Sequence, residues 1–323
     1  MALQCVTFWL ELLKKVRIAD DIKNNEDDVQ LELEKLLKLK LPYHSIGIYP
    51  FGSRIMGVAQ ETSDLDVYVE LDNSFYEYSE SPTMEVLERQ RIVANAFNSE
   101  SNWKRIATFG GRCPIVVVKH STGLQCDLSF FNGLTYRQNI LVMYLFELQP
   151  IEARYMVIYL RDWIQNIGLK DVFRSHILIL MVIFFLQLHN HLPGIDRLQA
   201  NQEPTVGPWV TTFNQLKLSD FNMSKLEVNE YNTRSVLKQF FRFYANFNFA
   251  QYAICPYLGR YVERLLFDRH MPQRYTQLRS RDNKFTRFTT AIQDFILLDF
   301  NKGWQIKGMH VRTFIYRCQK ELD

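Results

Sequence analysis

The stretch from Tyr49 to Leu71, YPFGSRIMGVAQETSDLDVYVEL, places a Gly-Ser pair ahead of two carboxylates one residue apart. Side chains at i and i+2 of a strand share a face, so Asp64 and Asp66 project side by side. Two like charges held that close are costly unless a cation sits between them. Two readings stand. One is a divalent-metal site, because hard oxygen ligands suit Mg²⁺ or Mn²⁺. The other is a solvated strand end, or a turn in which Asp64 caps and Asp66 pairs with an arginine. A third carboxylate, Asp127, lies in LQCDLSFFNG, near the end of a further strand. If the two strands are neighbours, the three carboxylates can hold two metals about 3.5–4 Å apart. Gly52-Ser53 adds backbone N–H groups and a hydroxyl just before a short helix, an anion cradle. Ser53 alone would read as a turn or cap serine.

The elements that must position these groups are legible from periodicity. Residues 3–18 and 26–41 carry apolar side chains at helical spacing, and Pro42 stops the second helix. Between 44 and 131 the period changes. HSIGIYPF, DLDVYVEL, WKRIATF, CPIVVVKH and LQCDLSFF are short runs rich in β-branched and aromatic residues, bounded by Gly, Asn, Ser or Pro. One helix, 83–98, interrupts them. After Asn132-Gly133 the pattern is helical at 136–148, 151–167, 175–191, 233–246, 257–268 and 306–321, with 193–232 reading as a long surface loop. The expected fold class is α+β: a small mixed sheet with helices at 43–135, joined to a larger, mainly helical domain made of 1–42 plus 136–323.

Bulk properties narrow the function classes. At 323 residues two domains are expected. Lys+Arg 38 against Asp+Glu 35 is nearly balanced, so any nucleic-acid contact must come from local patches such as Arg54, Arg105, Arg112 and Lys119. By default those four are ordinary surface cations. Cys5, Cys113, Cys126, Cys255 and Cys318 are scattered with no CxxC pair, which argues against a zinc ribbon or a disulfide framework and for a reducing compartment. The N-terminal segment reads as an amphipathic helix and not a signal peptide, and ILILMVIFFLQL at 177–188 is too short to span a bilayer. A soluble, intracellular protein is expected, cytoplasmic or alternatively nuclear.

Phe51-Gly52-Ser53, Gly57, Ser63-Asp64-Leu65-Asp66 and Asp127 together resemble the signature of the DNA-polymerase-β-like nucleotidyltransferases. GRCPIVVVKH (111–120), CDLSFFNGL (126–134), LMVIFFLQ (180–187) and FFRFYANFNF (240–249) narrow the resemblance to the non-canonical poly(A) polymerase and terminal uridylyltransferase family. The similarity covers about 44–305 in order, and within the family it looks closest to the insect Tailor-type uridylyltransferases. The resemblance implies a polymerase-β-like nucleotidyltransferase domain joined to a helical poly(A)-polymerase-associated central domain. It also implies two divalent ions, Mg²⁺ or Mn²⁺, and as partners an RNA 3′ end lying between the domains and a nucleoside triphosphate, UTP favoured over ATP.

By the same resemblance Asp64 and Asp66 would bind both metals, and Asp127 the one that activates the RNA 3′-hydroxyl. Ser53, with the amide after Gly52, would hold the β- and γ-phosphates. Asn132 would lie near the ribose and primer end, or serve as a turn residue before Gly133. Arg112 would touch the RNA end, or be a surface cation. The family's lysine pair, four residues apart, falls on Arg161 and Gln165, and its Ser-Ser-Tyr on Arg174-Ser175-His176. Ser175 would keep a γ-phosphate contact. His176 would stack on the base, or be a helix cap. The family's C-terminal element appears as QDFILLDFN (293–301): Asp294 and Asn301 survive, while the histidine associated with uracil preference falls on Phe300. These departures keep two alternatives in view, a poly(A)-type polymerase using ATP and a weakened paralogue that binds RNA or a partner. Transfer to a small molecule or to a protein is less supported.

Overall fold

The computed structural model describes residues 2–25, 27–98, 100–227, 229–278 and 284–323. The chain divides into two compact units: residues 13–142 with 204–207, and residues 1–12, 143–203 and 208–323. The division falls within α1 (Ala2–Asn24) and within α5 (Leu134–Leu148).

The first unit also contains α2 (Asp27–Lys40), α3 (Gly52–Ile55), α4 (Met84–Ala96) and strands β1 (Ile46–Phe51), β2 (Leu65–Leu71), β3 (Trp103–Phe109), β4 (Ile115–His120) and β5 (Gln125–Ser129). The strands form one sheet in the order β1-β2-β5-β4-β3, antiparallel throughout except for the parallel β2–β5 pair. A parallel pair needs a crossover, which α4, β3 and β4 provide. Alternation along β2 explains the layering. Leu65, Val67, Val69 and Leu71 are fully buried, and they pack with Val116, Val118, Cys126 and Leu128 against Leu33 and Leu37 of α2 and Val86 and Val93 of α4. Asp66, Tyr68 and Glu70 take the opposite face.

The unit extends beyond the expected 43–135 segment on both sides. Apolar residues of α2 that were expected to join the helical part lie instead in the sheet's core. Glu32 of α2 accepts hydrogen bonds from Asn102 Nδ2 and Trp103 Nε1, both at 3.2 Å, tying α2 to the β3 edge. A register shift between Arg105 and Ala107 breaks that edge's regularity, which discourages further strand pairing. Arg105 donates to the Ala94 carbonyl at 3.1 Å, and Arg54 to the Ser63 carbonyl at 2.6 Å. Two of the four cations expected to read RNA are thus engaged in holding this unit's own backbone.

The second unit is built on α7 (Ser175–Leu188), whose residues Ile177 to Gln187 are all buried. A helix apolar on every side belongs at a centre. It packs with α6 (Pro150–Asn166) and α9 (Glu230–Asn246), and α12 (Gly308–Lys320) lies against α9. Tyr244 donates to the Met181 carbonyl at 2.7 Å, joining α9 to α7. Of the expected 193–232 loop, the last three residues already belong to α9, and among the described residues before them the regular elements are α8 (Ile195–Leu198) and a 3₁₀ turn at 218–221. The segment is not purely surface, because Ile195, Leu198 and Trp209 are buried.

Residues 257–268, expected as a helix, form no α-helix. Gly259 turns the chain with φ +59°, a two-residue ladder joins β6 (Tyr252–Ala253) to β7 (Val262–Glu263), and a 3₁₀ segment follows at 264–270. α10 (Gln273–Leu278), α11 (Lys284–Arg287) and a 3₁₀ turn at 302–305 complete the unit. Among the described residues no helix is long and apolar enough to cross a membrane, and Cys113, Cys126, Cys255 and Cys318 are free thiols.

Candidate active site

Asp66 and Asp127 are register partners across the parallel β2–β5 pair, so two carboxylates lie on adjacent strands of the sheet face that the core leaves uncovered. Asp64 stands just before β2 and adds a third. The three carboxylates also act on one another electrostatically. Burial first, then the charges of Asp64 and Asp127, push the Asp66 carboxyl up to about 8. Burial, and then the Asp64 charge, raise Asp127. Gln125 Nε2 donates to Asp127 Oδ1 at 3.1 Å. Among the described residues no arginine or lysine figures among the charges acting on Asp66 or Asp127, which speaks against the reading in which Asp66 meets an arginine.

Gly52 sits directly over Asp66. Its φ is +85°, and a Cβ at this position would fall 2.1 Å from Asp66 Oδ2. Only glycine permits both that backbone conformation and that approach. The Gly52 N–H is already committed: it donates to Asn139 Oδ1 at 2.9 Å, from a side chain on α5 that is 5% exposed. Gly52 therefore acts through proximity and not as an amide donor to an anion, which leaves the Ser53 hydroxyl and amide for that role. Arg54, reaching the Ser63 carbonyl, ties the glycine turn to the loop that delivers Asp64. Gln60 N donates to Ser63 Oγ at 3.0 Å and closes the loop. Asn139 and Arg54 act here as positioning residues, Asn139 on the Gly52 amide 87 residues away and Arg54 on the Ser63 carbonyl nine residues on.

Asn132 is 7% exposed, and its Oδ1 accepts the Leu134 N–H at 3.1 Å, the cap at the start of α5. Of the two readings given for Asn132, the turn residue is the one realised in its hydrogen bonding. Arg112 lies in the exposed β3–β4 turn, five residues from Val117, the β4 partner of Asp127.

The remaining predicted residues belong to the helical unit. Arg161 and Gln165 are one helical turn apart on α6, and Ser175 and His176 open α7. His176 is exposed to solvent. Desolvation by nearby protein, then the cation of Lys302, lower its pKa, with Arg174 adding to the effect. The imidazole is neutral at pH 7. Asn301 is a correction. It is 2% exposed, and its Oδ1 accepts from Ile292 N and Gly303 N while its Nδ2 donates to the carbonyls of Lys284 and Thr290, all at 2.8–3.0 Å. Nothing is left of that amide to bind a nucleotide, so its role is to hold the loop. Asp294 is similarly spent. Its Oδ1 caps Ile296 and Leu297, and its Oδ2 pairs with Lys302 at 2.9 Å. Lys302, placed 5.0 Å from the Phe300 ring centre, is a cation that no sequence pattern marked.

Among the described residues no group of three or more His, Cys, Asp or Glu side chains is placed so that it could hold a metal ion as it stands. The donor chemistry nevertheless fits a divalent cation. The three carboxylates offer hard oxygens, and the raised proton affinity of Asp66 and Asp127 is what such a cation would relieve.

Residues 7–145 match the family of poly(A) RNA polymerase, mitochondrial-like, central palm domains. Mouse mitochondrial poly(A) RNA polymerase is 25% identical over 246 residues, covering 68% of this chain and 42% of that protein. The chain thus spans about four-tenths of the length of this curated relative. The crystal structure of mtPAP with ATPγS superposes with a TM-score of 0.72 at 19% identity, over 95% of this chain and 67% of that one. A cytoplasmic RNA terminal U-transferase superposes at 0.74 with 20% identity, over 99% and 92%. These likenesses carry the fold: a polymerase-β-like α+β nucleotidyltransferase architecture. The likeness to the poly(A) RNA polymerase, mitochondrial-like, central palm domain is thus carried in sequence by residues 7–145, and the likeness in fold by nearly the whole chain.

Proposed function

We propose that this protein is a template-independent RNA 3′-terminal nucleotidyltransferase, a terminal uridylyltransferase that joins UTP to an RNA 3′ end and releases pyrophosphate. The observation that carries the reading is the in-register opposition of Asp66 and Asp127, with Asp64 beside them, beneath a glycine that approaches to within contact of Asp66. In the reaction the RNA 3′-oxygen forms a bond to the α-phosphorus while the α–β bridging P–O bond breaks. Asp64, Asp66 and Asp127 would hold two Mg²⁺ or Mn²⁺ ions, which when bound supply charge neutralisation to the triphosphate and lower the pKa of the 3′-hydroxyl. The protein's own work is positioning. Ser53 supplies phosphate donors, Arg161 and Ser175 add contacts to the triphosphate, and neutral His176 offers a face to the base. The segment 43–135 carries the catalytic machinery in this reading, and the free thiols fit a reducing, cytoplasmic setting.

Base choice is the finer part of the proposal. The ammonium of Lys302, fixed by Asp294 beside Phe300 and close enough to act on His176, can only donate hydrogen bonds. A base edge that presents carbonyl oxygen, as uracil does, suits it better than the amino group of adenine. The ATP-using reading is kept because the curated relatives are poly(A) polymerases. Incubating a short RNA with each nucleoside triphosphate and Mg²⁺ is expected to give extension with UTP at about ten times the ATP rate, roughly the discrimination of one well-placed polar contact. Preferred extension with ATP would replace the uridylyl reading by the adenylyl one, and no extension with any of the four would reject the function.

Gly52→Ala is expected to slow nucleotide addition about 100-fold, the cost of displacing a reacting group by an ångström. The rate at saturating UTP measures this. An alanine variant at wild-type speed would show that the contact over Asp66 is not needed.

A further inference from the structure

We infer that the exposed face of α12 and the adjoining 3₁₀ turn form a docking surface for single-stranded RNA, in which Trp304 and Tyr316 are stacking platforms between phosphate-binding cations. The inference rests on the reading of the protein as an RNA-modifying enzyme and names where, outside the carboxylate site, the RNA body is held.

The charge distribution is the first support. The whole chain is nearly balanced, yet between Phe300 and Lys320 the sequence holds five Lys or Arg residues and no Asp or Glu. Two of these are satisfied, Lys302 by Asp294 and Lys320 by Asp323. Lys307, Arg312 and Arg317 are exposed and make no ion pair among the described residues. An unpaired cation cluster on an otherwise neutral protein is the electrostatic mark of a polyanion's path.

The second support is aromatic. Trp304, in the 3₁₀ turn, is 49% exposed and Tyr316, on α12, is 53% exposed, with Lys320 Nζ 5.9 Å from the Tyr316 ring centre. Val311, Phe314 and Cys318 are buried, with Phe314 stacked on Phe173 at 4.6 Å. Trp304 lies edge-on to Phe288 at 6.5 Å, and the Arg287 guanidinium lies 5.9 Å from the Phe288 ring centre. A Cβ placed on Gly308 would meet an Arg312 nitrogen at 3.5 Å and the Thr289 methyl at 3.9 Å, which brings the 287–289 and 307–312 segments together. Cations interleaved with open aromatic faces are how proteins hold single-stranded nucleic acid without reading its sequence. An anionic membrane would need a continuous apolar stripe. Here Thr313 and Gln319 interrupt the exposed face, so RNA is the better occupant.

The test is binding of a fluorescein-labelled 20-nucleotide single-stranded RNA, followed by anisotropy across a range of salt, with no nucleotide present. Trp304→Ala is expected to weaken binding about ten-fold, within the range for loss of one base stack. Lys307→Glu with Arg312→Glu is expected to reduce the slope of log affinity against log salt by about 1.4, two contacts at roughly 0.7 each. Both sites are exposed, so melting temperatures should match the wild type. Unchanged affinity and slope in both variants, wild-type protein that does not bind the RNA, or tighter retention by phosphatidylserine vesicles than by RNA would each overturn the inference. Binding that the variants lose, in a protein that extends no RNA with any nucleotide, would uphold the surface and reject the catalytic reading instead.

Discussion

Asp127→Ala is expected to reduce nucleotide addition about a thousand-fold, the upper end of what the loss of one electrostatic contact to a reacting group costs. Its stability should move the other way. In the absence of a cation, Asp127 stands opposite Asp66 and raises its proton affinity. Removing it relieves that repulsion, so the variant should melt at or above the wild-type temperature in EDTA. Mg²⁺ should raise the wild-type melting temperature by preferential binding to the folded state and leave the variant almost unmoved. The three readouts separate the alternatives. A weakened paralogue that only binds RNA would show no activity to lose, a structural aspartate would lower the melting temperature when removed, and a metal-binding catalytic one gives an inactive, stable, Mg²⁺-insensitive protein. Extension at a tenth of the wild-type rate or better would remove Asp127 from the mechanism.

The carboxylates were visible in sequence because strands with one buried face alternate strictly, and DLDVYVEL sets its aspartates on one parity and Leu65, Val67, Val69 and Leu71 on the other. What spacing could not supply was the register. That Asp66 faces Asp127, and not Cys126 or Leu128, depends on a parallel pairing between strands some 60 residues apart. The commitment of the Gly52 amide was equally hidden, since Asn139 lies 87 residues on and a polar residue in a helix normally reads as solvated. Asn301 shows the converse failure. A surviving motif residue looks functional in sequence, and only its four satisfied hydrogen bonds show that its amide closes a loop. Residues 257–268 misled for a plainer reason: apolar spacing suggested a helix, while Gly259 and the inward turn of Arg264 end any such run.

Arg264 itself is expected to give the largest stability effect away from the carboxylate site. Its side chain is 6% exposed, and it donates to the carbonyls of Phe249, Ala250, Phe285, Thr286, Phe288 and Thr289. A buried guanidinium with no carboxylate among these partners is held by backbone dipoles alone, and burial lowers its pKa accordingly. Its planar fork can address several carbonyls at once, which a lysine's compact ammonium cannot. Arg264→Met keeps the aliphatic stem and removes every donor, stranding carbonyls of the 249–250 and 285–289 segments. At 1–3 kcal/mol for each buried group left unsatisfied, and allowing for water reaching some of them, the loss should be about 3–5 kcal/mol. For a unit of this size that lowers the melting temperature by about 10 °C. Arg264→Lys should recover only part of it, and a methionine variant that melts within two degrees of wild type, on the order of 0.5–1 kcal/mol, would show that the carbonyls find other partners. Because Phe288 and Thr289 are among the residues so held, the methionine variant should also lose RNA affinity even though Arg264 is too buried to touch RNA. A loss of binding there, alongside normal melting in Trp304→Ala, would mean that the docking surface depends on this buried clamp for its shape.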